Sequence, residues 1–421
     1  MIEKNILLIT YVYPPSPSIG ARRWAKITKY LARNGYKIRV LTAKSAMVGG
    51  ANWIEDIDNP NITVYYVDDK RPKLLWEGTV RRKDYFLRLL RKIYIYYLEY
   101  FVGGLWMDEA RFMKEDVLSH ASDLINKFNI RNVISTGPPH NLNYYTALLK
   151  EQFPDINVLC DFRDSWTDAK NYSYENIPIY VVNEEEKKQT YTFLKANILF
   201  FTYKKMRDDL SEKYNNIASS KFIYLPHAFD HEDYGIPKNE KKNTKLRVVY
   251  GGAITMDVCY TTAKIFLDSL VVLKSNPDYY NKVELVFFNQ NVFFKKMVAD
   301  RDLFDIIQIH DHIPEKEFFK VCTSADLLLT ILGDGWKDYI TSKAIMQLGF
   351  RKSILMVAED GQATDFIISN KLGYVLNSTS DDNFWTDLII NFENGSLFYE
   401  NNNFEQYSYE NLAKTVESYF I

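Results

Sequence analysis

The sequence predicts an α/β protein of two doubly wound parallel-sheet domains, and three observations carry that expectation. Short apolar runs alternate with stretches of helical spacing nearly throughout, the rhythm of a parallel sheet flanked by helices. The rhythm breaks once, at 235–245, a polar Lys-rich stretch with Pro237 in it, and then restarts. The chain has 421 residues, too many for one ordinary core at roughly 150 residues per domain.

The first domain is expected to span 1–235, with strands at 6–10, 38–42, 62–67, 132–135, 156–160, 198–202 and 222–225. After the first strand, the loop from Tyr11 to Ile19 leads into Gly20-Ala21-Arg22-Arg23-Trp24, which opens a helix running to about Asn34. Helical spacing also covers 141–153. The segment 81–106, RRKDYFLRLLRKIYIYYLEYFVGGLW, stands apart, with a basic front and an aromatic body. Such a helix either lies in a membrane interface, its cations on anionic lipid, or packs across the first domain. The second reading is favoured, because apolar residues run almost around the helix.

Residues 236–245 form the expected linker. The second domain, expected at 246–395, has strands at 246–250, 283–288, 306–309, 327–331, 354–357 and 373–376. Helices fall at 262–273, 315–323, 342–349 and 364–369. An Asn-rich stretch, 391–403, precedes a last helix at 407–420 that by pattern alone fits either domain.

Bulk properties narrow the function classes. A net charge of −2 supplies no general attraction for nucleic acid. Three scattered cysteines, Cys160, Cys259 and Cys322, fit buried thiols in a reducing compartment better than a disulfide framework. The first apolar run is too short for a signal peptide, and no stretch reaches the roughly 18 apolar residues needed to span a bilayer. A soluble cytoplasmic protein is therefore expected.

The richest chemistry lies in two clusters at strand ends, Ser135-Thr136-Gly137-Pro138-Pro139-His140 and Asp161-Phe162-Arg163-Asp164-Ser165-Trp166. In an open parallel sheet both loops emerge at the carboxyl ends of the strands, where ligands bind. His140 follows two prolines at a helix entry and is either a capping or packing residue or a contact for a ligand. Asp161 and Asp164 are either functional carboxylates or helix-cap and salt-bridge residues holding Arg163. Gly20 at a helix start would let an anion approach backbone N–H groups, although the GxGxxG fingerprint is absent. His310-Asp311-His312 sits at a strand end before Pro314 and reads as structural; no Asp-x-Asp metal motif stands out.

Taken together, Tyr13-Pro14-Pro15, Gly20-Ala21-Arg22-Arg23, Gly35-Tyr36, the two clusters, Leu225-Pro226-His227-Ala228-Phe229-Asp230, Ser324-Ala325-Asp326, Thr341-Ser342-Lys343, Glu359-Asp360-Gly361 and Tyr407-Ser408-Tyr409 resemble the family-4 glycosyltransferases of the GT-B fold. The resemblance is to the branch that makes bacterial surface polysaccharides and glycolipids, and it runs in order along essentially the whole chain. It implies two Rossmann-like domains facing a cleft, with the final helix (405–421) crossing back to the N-terminal domain. It further implies a nucleotide-sugar donor and a glycan or polyprenyl-linked lipid acceptor, with no other cofactor and no metal. Transfer would proceed with retention of anomeric configuration.

Carried over by position, the resemblance assigns Arg163, His140, Asp164 and Lys343 to catalysis. The donor side would comprise Gly20, Gly251, Gly252, Asp338, Ser342, Lys343, Glu359, Asp360 and Gly361. The acceptor side would comprise Arg23, Gly137, His140 and Asp161. The chain also departs from the family pattern. The donor-binding cations that usually follow the second domain's first strand are replaced by Gly251-Gly252-Ala253-Ile254-Thr255-Met256-Asp257, with none until Lys264. The glutamate that usually grips the ribose falls at Met346, and a thioether cannot accept the two hydroxyl hydrogen bonds a carboxylate can. These losses leave a non-catalytic binding or scaffolding subunit as the alternative.

Overall fold

The computed structural model describes residues 4–16, 18–44, 53–75, 84–102, 104–168, 177–234, 243–333, 335–397, 399 and 404–421. The chain divides into two compact units, Met1–Pro226 with Tyr409–Ile421, and His227–Ser408.

In the first unit the elements run β1 (Asn5–Thr10), α1 (Ile19–Arg33), β2 (Lys37–Ala43), α2 (Ile54–Ile57), β3 (Ile62–Val67), α3 (Tyr85–Tyr97), α4 (Lys114–Phe128), β4 (Asn132–Gly137), α5 (Asn141–Gln152), β5 (Asn157–Phe162), α6 (Ile179–Lys195), β6 (Ile198–Phe201), α7 (Lys204–Lys213) and β7 (Phe222–Tyr224). The strands form one sheet in the order β3-β2-β1-β4-β5-β6-β7, and every pairing is parallel. All six residues of β1, β4 and β5 are buried, as expected of central parallel strands covered by helices on both faces. That requirement explains the apolar runs inside them, Ile6–Ile9 in β1, Val133–Ile134 in β4 and Val158–Cys160 in β5. α1 is buried along almost its whole length, and its inward lysines survive because Lys26 and Lys29 both reach Asp56 of α2, at 2.9 and 3.1 Å.

The second unit contains β8 (Leu246–Gly251), α8 (Met256–Lys274), α9 (Pro277–Tyr280), β9 (Val283–Phe288), α10 (Val292–Ala299), β10 (Ile307–His310), α11 (Glu315–Thr323), β11 (Leu327–Ile331), α12 (Ser342–Leu348), β12 (Ser353–Val357), α13 (Gln362–Ser369), β13 (Gly373–Leu376) and α14 (Phe384–Glu393). Its parallel sheet has the order β10-β9-β8-β11-β12-β13. α8 begins six residues before the expected 262. It is two helical pieces joined at Cys259, whose backbone (φ −123°, ψ 19°) is not helical, and the regular apolar stripe starts only after that joint.

The final helix, α15 (Tyr409–Glu417), belongs to the first unit. Glu417 accepts from Asn34 at 2.9 Å, Phe420 meets Tyr36 edge-on at 5.2 Å, and Asn157 donates to the Tyr419 carbonyl at 2.8 Å. The fold is therefore two Rossmann-like units with the C-terminal helix returned to the first.

One expectation is overturned. The aromatic segment does not hide its rings in the core: no residue of α3 is buried, and its π-helical continuation, Leu98–Val102, buries only Leu98. Residues 81–83, the basic front of that segment, lie outside the described residues, as do 235–242 of the expected linker.

Candidate functional site

In each unit the strand order reverses once, between β1 and β4 and between β8 and β11. Open α/β sheets bind ligands at the carboxyl ends of strands beside such a switch point.

At the switch point of the first unit lies a cavity of about 710 Å³. Tyr11, Val12 and Gly20 come from the end of β1 and start of α1, Pro138 and His140 follow β4, and Arg163, Asp164 and Trp166 follow β5. Arg163 holds these loops together. Its Nε donates to the Gly137 carbonyl at 3.2 Å, one terminal nitrogen to that of Gly20 at 3.1 Å, and the other to that of Pro138. Gly20 is glycine for this reason: a Cβ there would strike the Arg163 guanidinium. The space left by its missing side chain is filled by protein. Gly137 has a comparable cause, since its Cβ would stand 2.8 Å from His140 Nδ1.

His140 is the N-cap residue of α5, yet its side chain makes no cap hydrogen bond. Its ring stacks on Trp166 at 5.2 Å and 12°, and on Phe162 at 6.0 Å. Burial, and then the Arg163 charge, hold its pKa down to about 3, so at neutral pH it is an uncharged hydrogen-bonding group. Asp164 lines the same cavity with its carboxyl pushed above the ordinary range by burial, partly offset by Arg163.

Arg23 and Asp161 sit deeper. Arg23 Nε and Nη2 reach the two Asp161 oxygens at 3.1 and 3.0 Å, and the same carboxylate accepts from Trp24 Nε1 and Thr136 Oγ1, both at 2.8 Å. Arg23 also donates to the carbonyls of Leu225 and Pro226, at 2.8 and 2.6 Å. Side-chain exposure is 4% for Arg23 and 0% for Asp161. Of the two readings left open for Asp161, its role is structural, but its partner is Arg23 and not Arg163, and the pair joins α1, β4, β5 and the end of β7.

Residues that the sequence reading did not assign to the site complete the wall: Arg71 and Asp108, with Arg91 and Trp106 of the aromatic segment. Glu185 of α6, fully buried, anchors this part of the chain by accepting from Leu105 N (3.1 Å), Trp166 Nε1 (2.9 Å) and Lys188 Nζ (2.8 Å). Asp108 accepts from the backbone N–H groups of Ala110 and Asn141, both at 3.0 Å, and burial lifts its pKa to about 6. Neither Trp106 nor Asp108 follows directly on a strand among the described residues, so no strand-end pattern marks them.

At the second switch point, Gly251 and Gly252 end β8. A Cβ on Gly251 would strike Phe318, so that glycine serves packing. Gly252, with φ of +121°, faces Lys343: a Cβ would stand 2.9 Å from its Nζ. Lys343 Nζ lies 4.1 Å from the centre of the buried Tyr250 ring. The Gly252 turn is fixed by Gln290, whose amide donates to the Gly252 and Phe288 carbonyls and accepts from Ile254 N. Ser342 is the first residue of α12, which is seven residues long and capped by Thr341.

The other donor-side candidates are engaged locally. Asp338 accepts from Gln362 N at 3.4 Å, while Gly361 lets the chain pass close to the Lys337 carbonyl, 2.6 Å from where its Cβ would be. Glu359 accepts from Ser378 and Asp360 from Asn377, each at 2.9 Å. The Met346 carbonyl accepts from Tyr234 at 2.6 Å, and Lys264 pairs with Asp268 at 3.5 Å. His310 stacks on Phe288 at 5.1 Å.

No protein-family model matches the sequence, and no curated protein sequence matches it. Solved structures do. A sucrose-phosphate synthase from Thermosynechococcus elongatus aligns over 99% of this chain and 98% of its own, with a TM-score of 0.65 at 10% identity. The catalytic domain of starch synthase IV from Arabidopsis thaliana, solved with ADP and acarbose, aligns over 99% and 98%, with 0.57 at 10%. A UDP-GlcNAc 2-epimerase from Methanocaldococcus jannaschii aligns over 98% and 99%, with 0.56 at 11%. Likeness at such low identity is a likeness of fold, and over its whole length this chain has the two-domain Rossmann-like fold known as GT-B.

Proposed function

We propose that the protein is a glycosyltransferase that moves a sugar from a nucleotide-sugar donor to a glycan or lipid-linked acceptor. Transfer is with retention and without a metal, in the synthesis of surface polysaccharide or glycolipid at the inner face of the cell membrane. The observation that carries this reading is Lys343, whose ammonium stands beside the positive-φ turn of Gly252 at the switch point of the second sheet.

Glycosyl transfer passes through an oxocarbenium-like state with a departing nucleoside diphosphate, so the protein's main task is to place positive charge at that phosphate. Lys343 supplies the charge in the second unit. α12 is only two turns long, so its dipole adds little to the ammonium. With methionine at position 346, the ribose hydroxyls are left to Glu359 or Asp360, carboxylates at the end of β12.

The first unit receives the acceptor in its cavity. Arg163 fixes the three loops, neutral His140 offers a hydrogen bond, and Asp164 orients the attacking hydroxyl, whose proton passes to the leaving phosphate oxygen. Arg23, Asp161 and Gly137 support this wall from behind.

Calorimetry with a panel of UDP-, GDP- and ADP-sugars tests the reading. At least one should bind, and Lys343→Ala should weaken it about 10- to 100-fold, as loss of a charged hydrogen bond does. If none binds, the protein is a scaffolding subunit; if the variant binds normally, Lys343 is not the phosphate contact.

A further inference from the structure

We infer that the outward face of α3 and its π-helical continuation is a docking surface for an anionic phospholipid bilayer. From Tyr85 to Val102, the only buried residue is Leu98. The large exposed side chains recur at helical spacing, Phe86, Leu89, Ile93, Tyr97 and Phe101, so they form one continuous stripe. Phe86 and Phe101 are 69% and 75% exposed. An apolar strip of this kind, left uncovered, marks an interaction surface. It is also pre-ordered: Tyr96 stacks on Tyr100 at 4.0 Å, Tyr97 stacks on Phe101 at 5.9 Å, and Tyr100 meets the tilted Tyr180 ring at 4.9 Å.

Charge selects the occupant. Exposed Lys92 borders the stripe along one edge, with exposed Arg88 one turn before it on that same side, and Lys73 is exposed on the 3₁₀ turn that packs on α3. The described carboxylates of the segment are Asp84, before its first turn, and Glu99, half-buried with its pKa raised by that burial. Tyrosine rings with cations beside an apolar stripe suit the headgroup layer of a membrane, where each ring keeps its hydroxyl wet and each cation meets lipid phosphate. A homodimer seam would instead be more uniformly apolar and poor in lysine.

The surface is continuous with the cavity. Arg91, on the other side of the same helix, lines it, 5.4 Å over the Trp106 ring. Docking of α3 would therefore hold the cavity wall at headgroup level, where a lipid-borne acceptor presents its phosphate; this last step rests on the transferase reading, whereas bilayer docking does not.

Flotation of the full chain with vesicles tests the inference without any sugar nucleotide. Equal parts phosphatidylcholine and phosphatidylglycerol should carry the protein upward, and phosphatidylcholine alone should not. Arg88→Gln with Lys92→Gln should weaken binding roughly 30-fold, the combined effect expected of two cations at an anionic surface. Ile93→Glu with Tyr97→Glu should abolish it while leaving the thermal transition unchanged, since both side chains are exposed. Failure of the wild type to float, or undiminished flotation of the Glu variant, overturns the inference. So does a wild-type dimer in sedimentation equilibrium that the Glu variant dissolves without any vesicle binding, because the stripe would then be a self-association seam.

Discussion

Replacing Asp161 with Asn separates a structural role from an acceptor-binding one. The carboxylate accepts four side-chain hydrogen bonds, two from Arg23 and one each from Trp24 and Thr136, in a site closed to water. An amide of the same shape removes the charge and turns an N–H₂ toward a donor, leaving the Arg23 guanidinium buried without its counter-ion. Breaking such a pair costs about 3–5 kcal/mol. The lower figure applies here, because Arg23 keeps the carbonyls of Leu225 and Pro226. Since the chain has two units, a single unfolding midpoint would mix their transitions. Hydrogen exchange on peptides from β4 and β5 reads the first unit alone, and about 3 kcal/mol corresponds to roughly 150-fold faster exchange where reclosing is fast relative to chemical exchange. A change under about fivefold, with acceptor binding lost, would refute the reasoning and return Asp161 to the acceptor.

Three further outcomes follow from the first unit. Because burial holds the folded His140 pKa near 3, its contribution to stability is present above about pH 6.5 and is lost as pH falls toward 3. Wild-type stability should therefore drop with acid by up to about 1.4 kcal/mol per pH unit more steeply than that of His140→Gln, measured by urea unfolding read on first-unit peptides by pulsed hydrogen exchange. Asp108 has the opposite sign: with a folded pKa near 6, its contribution is complete below about pH 4 and is lost as pH rises to 6. Asp108→Asn should flatten that part of the profile. Gly20→Ala should destabilise by about 1–3 kcal/mol through overpacking against Arg163, and should cost far less when Arg163 is already Ala; equal cost in both backgrounds, by hydrogen exchange on first-unit peptides, would mean the two residues are uncoupled.

The strands were legible because central parallel strands must be apolar on both faces, and β1, β4, β5, β11 and β12 are buried throughout. The loops at their ends were legible for the complementary reason: His140, Arg163 and Asp164 are polar residues where burial alone would not place them, and the fold brings them around one cavity, with Gly137 packed behind His140. Partnership was not legible. Whether Asp161 meets Arg163 or Arg23 is decided by which side chains point into the sheet's covering layer, and that depends on the register of β4 against β5. α3 was misread because its apolar residues nearly encircle the helix, a pattern that burial and a lipid-facing surface share. Trp106 and Asp108 reach the cavity only through the anchoring of their chain segment by Glu185 and Asn141, contacts spanning 80 and 33 residues.

The charged residues at the two switch points divide into those the fold consumes and those it leaves. Arg23 and Asp161 neutralise each other in the interior, and Arg163 spends its guanidinium on the carbonyls of Gly20, Gly137 and Pro138. Three of the most conspicuous ionic residues in the sequence therefore build the wall. Among the described residues, Lys343 in the second unit makes no hydrogen bond or ion pair, only its approach to the Tyr250 ring, and Asp164 in the first unit has no hydrogen-bond donor. Asp164 is desolvated by burial and only partly compensated by the Arg163 charge, so a neutral residue in its place would avoid that cost. Under the proposed function, Asp164 would serve the hydroxyl acceptor in the first unit and Lys343 the anionic leaving group in the second, each within its own unit.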